Sequence, residues 1–201
     1  MIAILDYGMG NLRSVSKAFE RLGADCTITR DPQVLRQADK LVVPGVGAFR
    51  DCMQALQDLG LIEPIREFIR SGRYYLGLCL GMQILMEESE EGGDVPGLAV
   101  IKGKVLRFPD NLGLKVPHMG WNNIHFEKNA KLFAGLPQDS FVYFVHSYYV
   151  APDSSQVIAA TTNYGFDFAS SLQCENILAT QFHPEKSQAV GLQMIQNFCD
   201  L

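Results

Sequence analysis

Long apolar runs are missing from this chain of 201 residues. No stretch approaches the roughly 20 residues needed to span a bilayer, so a membrane protein is not expected. A run of Lys or Arg is also missing, and the formal net charge is -5, which speaks against nucleic acid as a partner. The five cysteines (Cys26, Cys52, Cys79, Cys174 and Cys199) form no CxxC pair and leave an odd number. A disulfide framework is therefore not expected. The opening Met1-Ile2-Ala3-Ile4-Leu5 has no basic flank and turns polar at Asp6, unlike a secretory leader. These absences predict free thiols and a cytoplasmic protein. No grouping of His, Cys, Asp and Glu has metal-ligand spacing, so neither metal nor cofactor is expected. Internal repeats and low-complexity segments are absent too. With 47% apolar and 19% charged residues, the composition fits a packed globular chain. Its length suits one domain, read as residues 1–201.

In the first half, short apolar runs alternate with helical patterns. Ile2–Leu5, Leu41–Val43 and Tyr74–Leu78 read as buried strands. Between them, Leu12, Val15, Phe19 and Leu22 recur at helical spacing over Asn11–Leu22, with Gly23 as the stop. Further helices are predicted over Asp51–Leu59, Ile62–Ile69 and Gly81–Met86. From Ala99 onward the pattern turns β-rich. Segments are predicted at Val100–Phe108, Trp121–Phe126, Phe141–Val150, Val157–Thr162, Phe166–Leu172 and Ile177–Phe182, before a closing helix Ser187–Phe198. The expected fold class is α/β. It is a three-layer sandwich with a largely parallel central sheet, helices on both faces and an antiparallel β portion in the second half. Strand order is not readable from this pattern.

Chemistry concentrates at Gly77-Leu78-Cys79-Leu80-Gly81. This G-x-C-x-G follows a strand pattern and opens a helical one, as a nucleophile elbow does. The glycines leave room around a strained turn. The helix start favours a thiolate at Cys79, and the backbone N–H of Leu80 is placed to donate to an oxyanion. A buried structural cysteine between turn glycines fits the same five residues.

A cysteine nucleophile needs a base, and the base needs an orienting acceptor. Of four histidines, His183 sits in Gln181-Phe182-His183-Pro184-Glu185, directly after an apolar run. That places it at a strand end, where α/β sheets carry their sites. Glu185 falls on the same side if the chain stays extended. His118, His125 and His146 read as capping or surface positions. A second oxyanion donor is expected at Val46, within Pro44-Gly45-Val46-Gly47, where glycines let the backbone approach a ligand. Read alone, that tetrapeptide is an ordinary turn. Gly8-Met9-Gly10 lacks the third glycine of a dinucleotide fingerprint, since Arg13 stands there, and is rejected as such.

Pro44 to Phe49, Leu76 to Gln83 and Gln181 to Glu185, taken in order, resemble the class I (triad-type) glutamine amidotransferases over nearly the whole chain. The resemblance implies glutamine as substrate and a triad of Cys79, His183 and Glu185. It also implies an oxyanion loop at Gly47 and a glutamine contact at Gln83. Asp6 to Leu12, Pro117 to Asn122 and Phe144 to Tyr149 are similar, more narrowly, to the glutaminase subunits of imidazole glycerol phosphate synthases. This implies Ser147 and Tyr148 in the glutamine pocket. It also implies a (β/α)8-barrel cyclase subunit as heterodimer partner, faced by segments holding Asn11 and Trp121, in histidine biosynthesis. Read by itself, Trp121 is a core aromatic. Tyr74-Tyr75 departs from the family, which has a proline and a smaller apolar residue there; the change is expected to touch packing more than chemistry.

Three rivals remain open to the sequence. A glutaminase serving an anthranilate or vitamin B6 enzyme is disfavoured by Asp6 to Leu12 and Met119 to Asn122. A silent module on the same scaffold would have no need of a complete triad. A cysteine hydrolase of peptides or small amides would share the Cys–His pair and act without a partner.

Overall fold

The computed structural model describes residues 1–127 and 129–201, the Leu112 side chain excepted. The first half runs β1 (Ile2–Leu5), α1 (Leu12–Arg21), β2 (Cys26–Thr29), α2 (Pro32–Gln37), β3 (Lys40–Gly45), α3 (Phe49–Asp58), α4 (Ile62–Arg70), β4 (Tyr75–Cys79) and α5 (Leu80–Gln83). The second half adds β5 (Glu88–Ser89), β6 (Val95–Pro96), β7 (Gly103–Arg107), β8 (His118–Asn123) and β9 (His125–Phe126). It continues through β10 (Phe141–His146), β11 (Tyr148–Pro152), β12 (Ile158–Asn163), β13 (Asp167–Cys174), β14 (Ile177–Thr180) and α6 (Gln188–Cys199).

The main sheet has the order β2-β1-β3-β4-β14-β13-β11-β7-β5-β6, with β12 and β9 branching from β13. From β2 to β14 every neighbour is parallel. From β14 to β7 the pairs are antiparallel. Strand β4 is therefore central and closed on both sides, and every residue of it is buried. The expected α/β architecture holds.

Alternation along the strands builds two cores. Ala3, Leu5, Leu41, Val43 and Tyr75 pack with Leu35 of α2, Leu56 of α3 and Phe68 of α4 on one face. Ile2, Ile4, Val42, Leu76 and Leu78 pack with Phe19 of α1 and Phe198 of α6 on the other. Burial of this apolar area on both faces is what drives the layers together.

Strand β2 and helix α2 have no counterpart in the sequence reading. Strand β2 is four residues long and none of them is fully buried, so it carries no apolar run to detect. Helix α2 is set by a local device, an Asp31 cap that accepts from the Gln33 N–H at 2.8 Å, with Pro32 at the first turn. The helix expected over Gly81–Met86 is the single turn α5. Beyond it the carbonyls of Ile84, Leu85 and Met86 accept from Leu98, Val100 and Ala99 instead of from a continuing helix. The run Phe141–Val150 is two strands in different sheets, broken at Ser147.

Strands β8 and β10 form a separate antiparallel ribbon. Its inner face carries His118, Asn122, Val142, Phe144 and His146. Its outer face leaves Met119, Trp121 and Phe141 exposed at 64%, 47% and 58%. Trp121 is therefore not a core aromatic.

Candidate active site

Cys79 ends β4 with φ 53° and ψ -103°, a conformation that L-residues avoid. The strain is held by glycines whose Cβ would collide. A Cβ on Gly81 would run into the Val43 carbonyl, and one on Gly77 would lie 2.6 Å from the Gly81 carbonyl carbon. Tyr75, fully buried, donates from its hydroxyl to the Gly81 carbonyl at 2.7 Å, tying the strand to the turn it precedes. The departure at Tyr75 thus braces the elbow. Because α5 is one turn, its dipole is much smaller than that of the longer helix expected.

Sheet register gathers the other groups. Gly45 pairs with Cys79 across β3 and β4, which sets Val46 and Gly47 beside the sulfur. Gly47 has φ 104°. Thr180 pairs with Leu78 across β14 and β4, so the segment that leaves β14 passes the elbow. His183 follows on that segment and is pinned through its backbone. Its N–H donates to the Tyr143 carbonyl at 2.9 Å, and its own carbonyl accepts from the Ser187 hydroxyl at 2.6 Å.

His183 Nδ1 lies 2.8 Å from Glu185 Oε1, and both side chains are almost wholly buried. The backbone here is not extended: residues 184–186 form a 3-10 turn that brings Glu185 back under the ring. Burial opposes the imidazolium, but the Cys79 sulfur and the Glu185 carboxylate outweigh it and raise the pKa of His183 above its ordinary value. His183 Nε2 is buried with no hydrogen-bond partner among the described residues.

The cleft above the sulfur holds about 270 Å³. Val46, Gly47, Cys79, Leu80, Gln83, Ser147 and Tyr148 all line it, while His183 and Glu185 lie behind its wall. Three further groups were not anticipated. Gln181 donates to Cys79 Sγ at 3.5 Å and accepts from Gln83 Nε2 at 3.1 Å. Glu91 brings a carboxylate to the cleft while its Oε2 accepts from the Phe49 N–H at 2.9 Å; burial raises its pKa. His146, expected at a surface or cap, lines the cleft and is buried with His118. Gln181 and His146 stand within segments that carry the resemblance, Gln181 to Glu185 and Phe144 to Tyr149, whereas Glu91 lies in none of them.

Size alone does not mark the site. A larger open depression of about 760 Å³ between α3, α4 and β6 contains neither a cysteine nor a histidine. Asn11 is exposed and caps α1, accepting from the Ser14 N–H at 3.2 Å. Among the described residues no helix is long and apolar enough to cross a membrane.

A cysteine on a strained elbow, a buried His–Glu pair and a glycine-bearing loop beside them stand at the carboxyl ends of parallel strands, an arrangement that suits amide chemistry through a thiol. The family model for class-I glutamine amidotransferases matches residues 3–200. The chain is similar over 100% of both lengths, at 55% identity, to the imidazole glycerol phosphate synthase subunit HisH of Syntrophotalea carbinolica. It is 52% identical to HisH of Methanosarcina barkeri, covering 100% of this chain and 98% of that one. A solved glutamine amidotransferase structure superposes with a TM-score of 0.76 at 22% identity, covering 100% and 99% of the two chains. The chain belongs to the HisH subunits of the class-I glutamine amidotransferase family.

Proposed function

We propose that this single domain, residues 1–201, is the glutaminase subunit of an imidazole glycerol phosphate synthase. It hydrolyses glutamine to glutamate and ammonia for histidine biosynthesis, in the cytoplasm. The observation that carries the chemistry is the buried 2.8 Å pair of His183 and Glu185 beside the strained Cys79.

In this reading the Cys79 sulfur attacks the side-chain carbonyl carbon of glutamine. The oxyanion that forms is met by the backbone N–H groups of Leu80 and Val46. His183, holding the proton taken from the thiol, gives it to the departing nitrogen, and ammonia leaves. A γ-glutamyl thioester remains on Cys79. His183 then takes a proton from water, the hydroxide adds to the thioester, and glutamate departs with the sulfur restored. Glu185 stabilises the imidazolium and fixes the ring through Nδ1. Gln83 and Glu91, which line the cleft together with Cys79, suit the amino-acid head of glutamine, and Ser147 and Tyr148 form its wall.

The ammonia goes to a (β/α)8-barrel cyclase subunit, which uses it to make imidazole glycerol phosphate and an aminoimidazole carboxamide ribotide. The exposed apolar face of Met119, Trp121 and Phe141 supports docking of that subunit, with Asn11 as a further contact. Isotope-labelled glutamine, rapid acid quench and peptide mass spectrometry test the chemistry. A labelled glutamyl adduct on the Cys79 peptide is expected. An adduct on another cysteine, or none while glutamate accumulates, would overturn the assignment.

A further inference from the structure

His118 and His146 face each other across β8 and β10, with His118 Nδ1 2.8 Å from His146 Nε2. The tautomers of this pair follow from its two ends. At one end Asn122 Oδ1 accepts from the Asn123 N–H at 2.9 Å, and Asn122 Nδ2 donates to the Asn163 carbonyl at 2.9 Å. Its amide orientation is thereby fixed, and it presents an N–H to His118 Nε2 at 3.2 Å. Nε2 of His118 is therefore bare, and its proton sits on Nδ1. At the other end His146 Nδ1 lies 2.8 Å from the Tyr148 carbonyl, which can only accept. His146 therefore carries its proton on Nδ1 and leaves Nε2 bare for His118. The two ends, argued independently, give one assignment.

The chain continues into the cleft. The Tyr148 carbonyl also accepts from Gln83 Nε2 at 3.0 Å, and the second Gln83 N–H goes to Gln181 Oε1 at 3.1 Å. Both Gln83 donors are used, so its carbonyl oxygen is left to face the cleft that Gln83 lines. Gln181 in turn donates to Cys79 Sγ at 3.5 Å.

We infer that His118 and His146 are positioning residues: the pair locks both imidazoles as Nδ1–H tautomers, holds the Tyr148 carbonyl in place, and so makes Gln83 offer an acceptor, not a donor, to the substrate. The inference rests on the glutaminase reading for its kinetic consequence, but not for the tautomers. His146 acts by touching the Tyr148 carbonyl. His118 does not line the cleft and acts only through His146. Without the His118 N–H, His146 Nε2 is a buried acceptor with no donor. The ring then loses the contact that fixes its tilt, and its Nδ1–H is drawn out of line with the Tyr148 carbonyl, loosening that carbonyl and its bond to Gln83. Stacking holds the His118 ring where it is, 4.6 Å from Phe144 and 4.0 Å from Tyr164 between ring centroids.

Two measurements test this. Nitrogen-15 NMR of histidine-labelled protein reads the tautomers directly, without reference to activity. Protonated Nδ1 and bare Nε2 are expected for both His118 and His146 near neutral pH; an Nε2–H tautomer for either overturns the inference. Steady-state kinetics of the complex with the cyclase compare His118→Phe, which keeps a flat ring between Phe144 and Tyr164, with His118→Asn, which restores a donor near Nδ1. A contact made equally in ground and transition state is expected to raise KM for glutamine by about tenfold in His118→Phe, with kcat little changed. His118→Asn recovers most of the loss. Unchanged KM in folded His118→Phe, or equal losses in both variants, would mean that the pair only fills space. If the unaltered complex failed to hydrolyse glutamine, the glutaminase reading would fall while the tautomer result stood.

Discussion

Glu185 Oε1 sits 2.8 Å from His183 Nδ1 in a setting where both side chains are at most 3% exposed, and Glu185 Oε2 has no partner among the described residues. A carboxylate so enclosed has the imidazole as its partner. Orienting a base is a smaller task than transferring a proton. His183→Ala is therefore expected to lower kcat by roughly 10⁴-fold or more, and Glu185→Gln by a smaller factor. Steady-state glutamate release in the complex checks the order. The reverse order would remove Glu185 from the orienting role.

Replacing Cys79, the proposed nucleophile, separates the two chemistries of the complex. Cys79→Ala is expected to abolish ammonia release from glutamine and to leave synthesis from added ammonium salts intact. Loss of both activities would make Cys79 structural.

The elbow glycines set a stability test. The Cβ of Gly81→Ala would meet the Val43 carbonyl, which is backbone of the central sheet and cannot swing aside. The variant is expected to lose more than about 2 kcal/mol of stability, or to be insoluble. Urea unfolding at neutral pH measures it, and a neutral outcome would show that the elbow relaxes at little cost.

Stability should also depend on the buried imidazole pair. Burial lowers the pKa of His118 from 6.5 to about 4 and of His146 from 6.5 to about 3. Both are neutral when folded and take up protons more readily when unfolded. Their contribution is therefore full above pH 6.5, and it is lost as pH falls towards 4 and then 3. Each group is expected to remove on the order of 1 kcal/mol per pH unit in that window. Unfolding free energies at pH 7 and pH 5 read the slope, which should be shallower in His118→Phe. An equal slope in the variant would assign the acid sensitivity elsewhere.

The reach of the sequence had physical limits. The elbow was legible because Gly77 and Gly81 flank Cys79 on a short stretch, and steric need at a tight turn is a local property. The central strands were legible because β1, β3 and β4 are covered on both faces, so almost every residue in them is apolar. Strand β2 lies at the sheet edge, half exposed, and has no such signature. His118 and His146 lie 28 residues apart and are joined only by the pairing of β8 with β10, which no local pattern encodes. Glu185 reaches the His183 ring through a 3-10 turn and not through extended chain, a bend that a spacing of two residues does not encode. Trp121 could not be assigned to the surface from composition, because only the register of the ribbon decides which face it takes.

The most direct test is glutamate release from glutamine by the purified chain, alone and after mixing with the proposed barrel cyclase partner and its ribonucleotide substrate. Strong stimulation by cyclase and ribonucleotide together is the expected result. Turnover that ignores both would contradict the assignment to imidazole glycerol phosphate synthase, and no turnover under any condition would contradict the glutaminase itself.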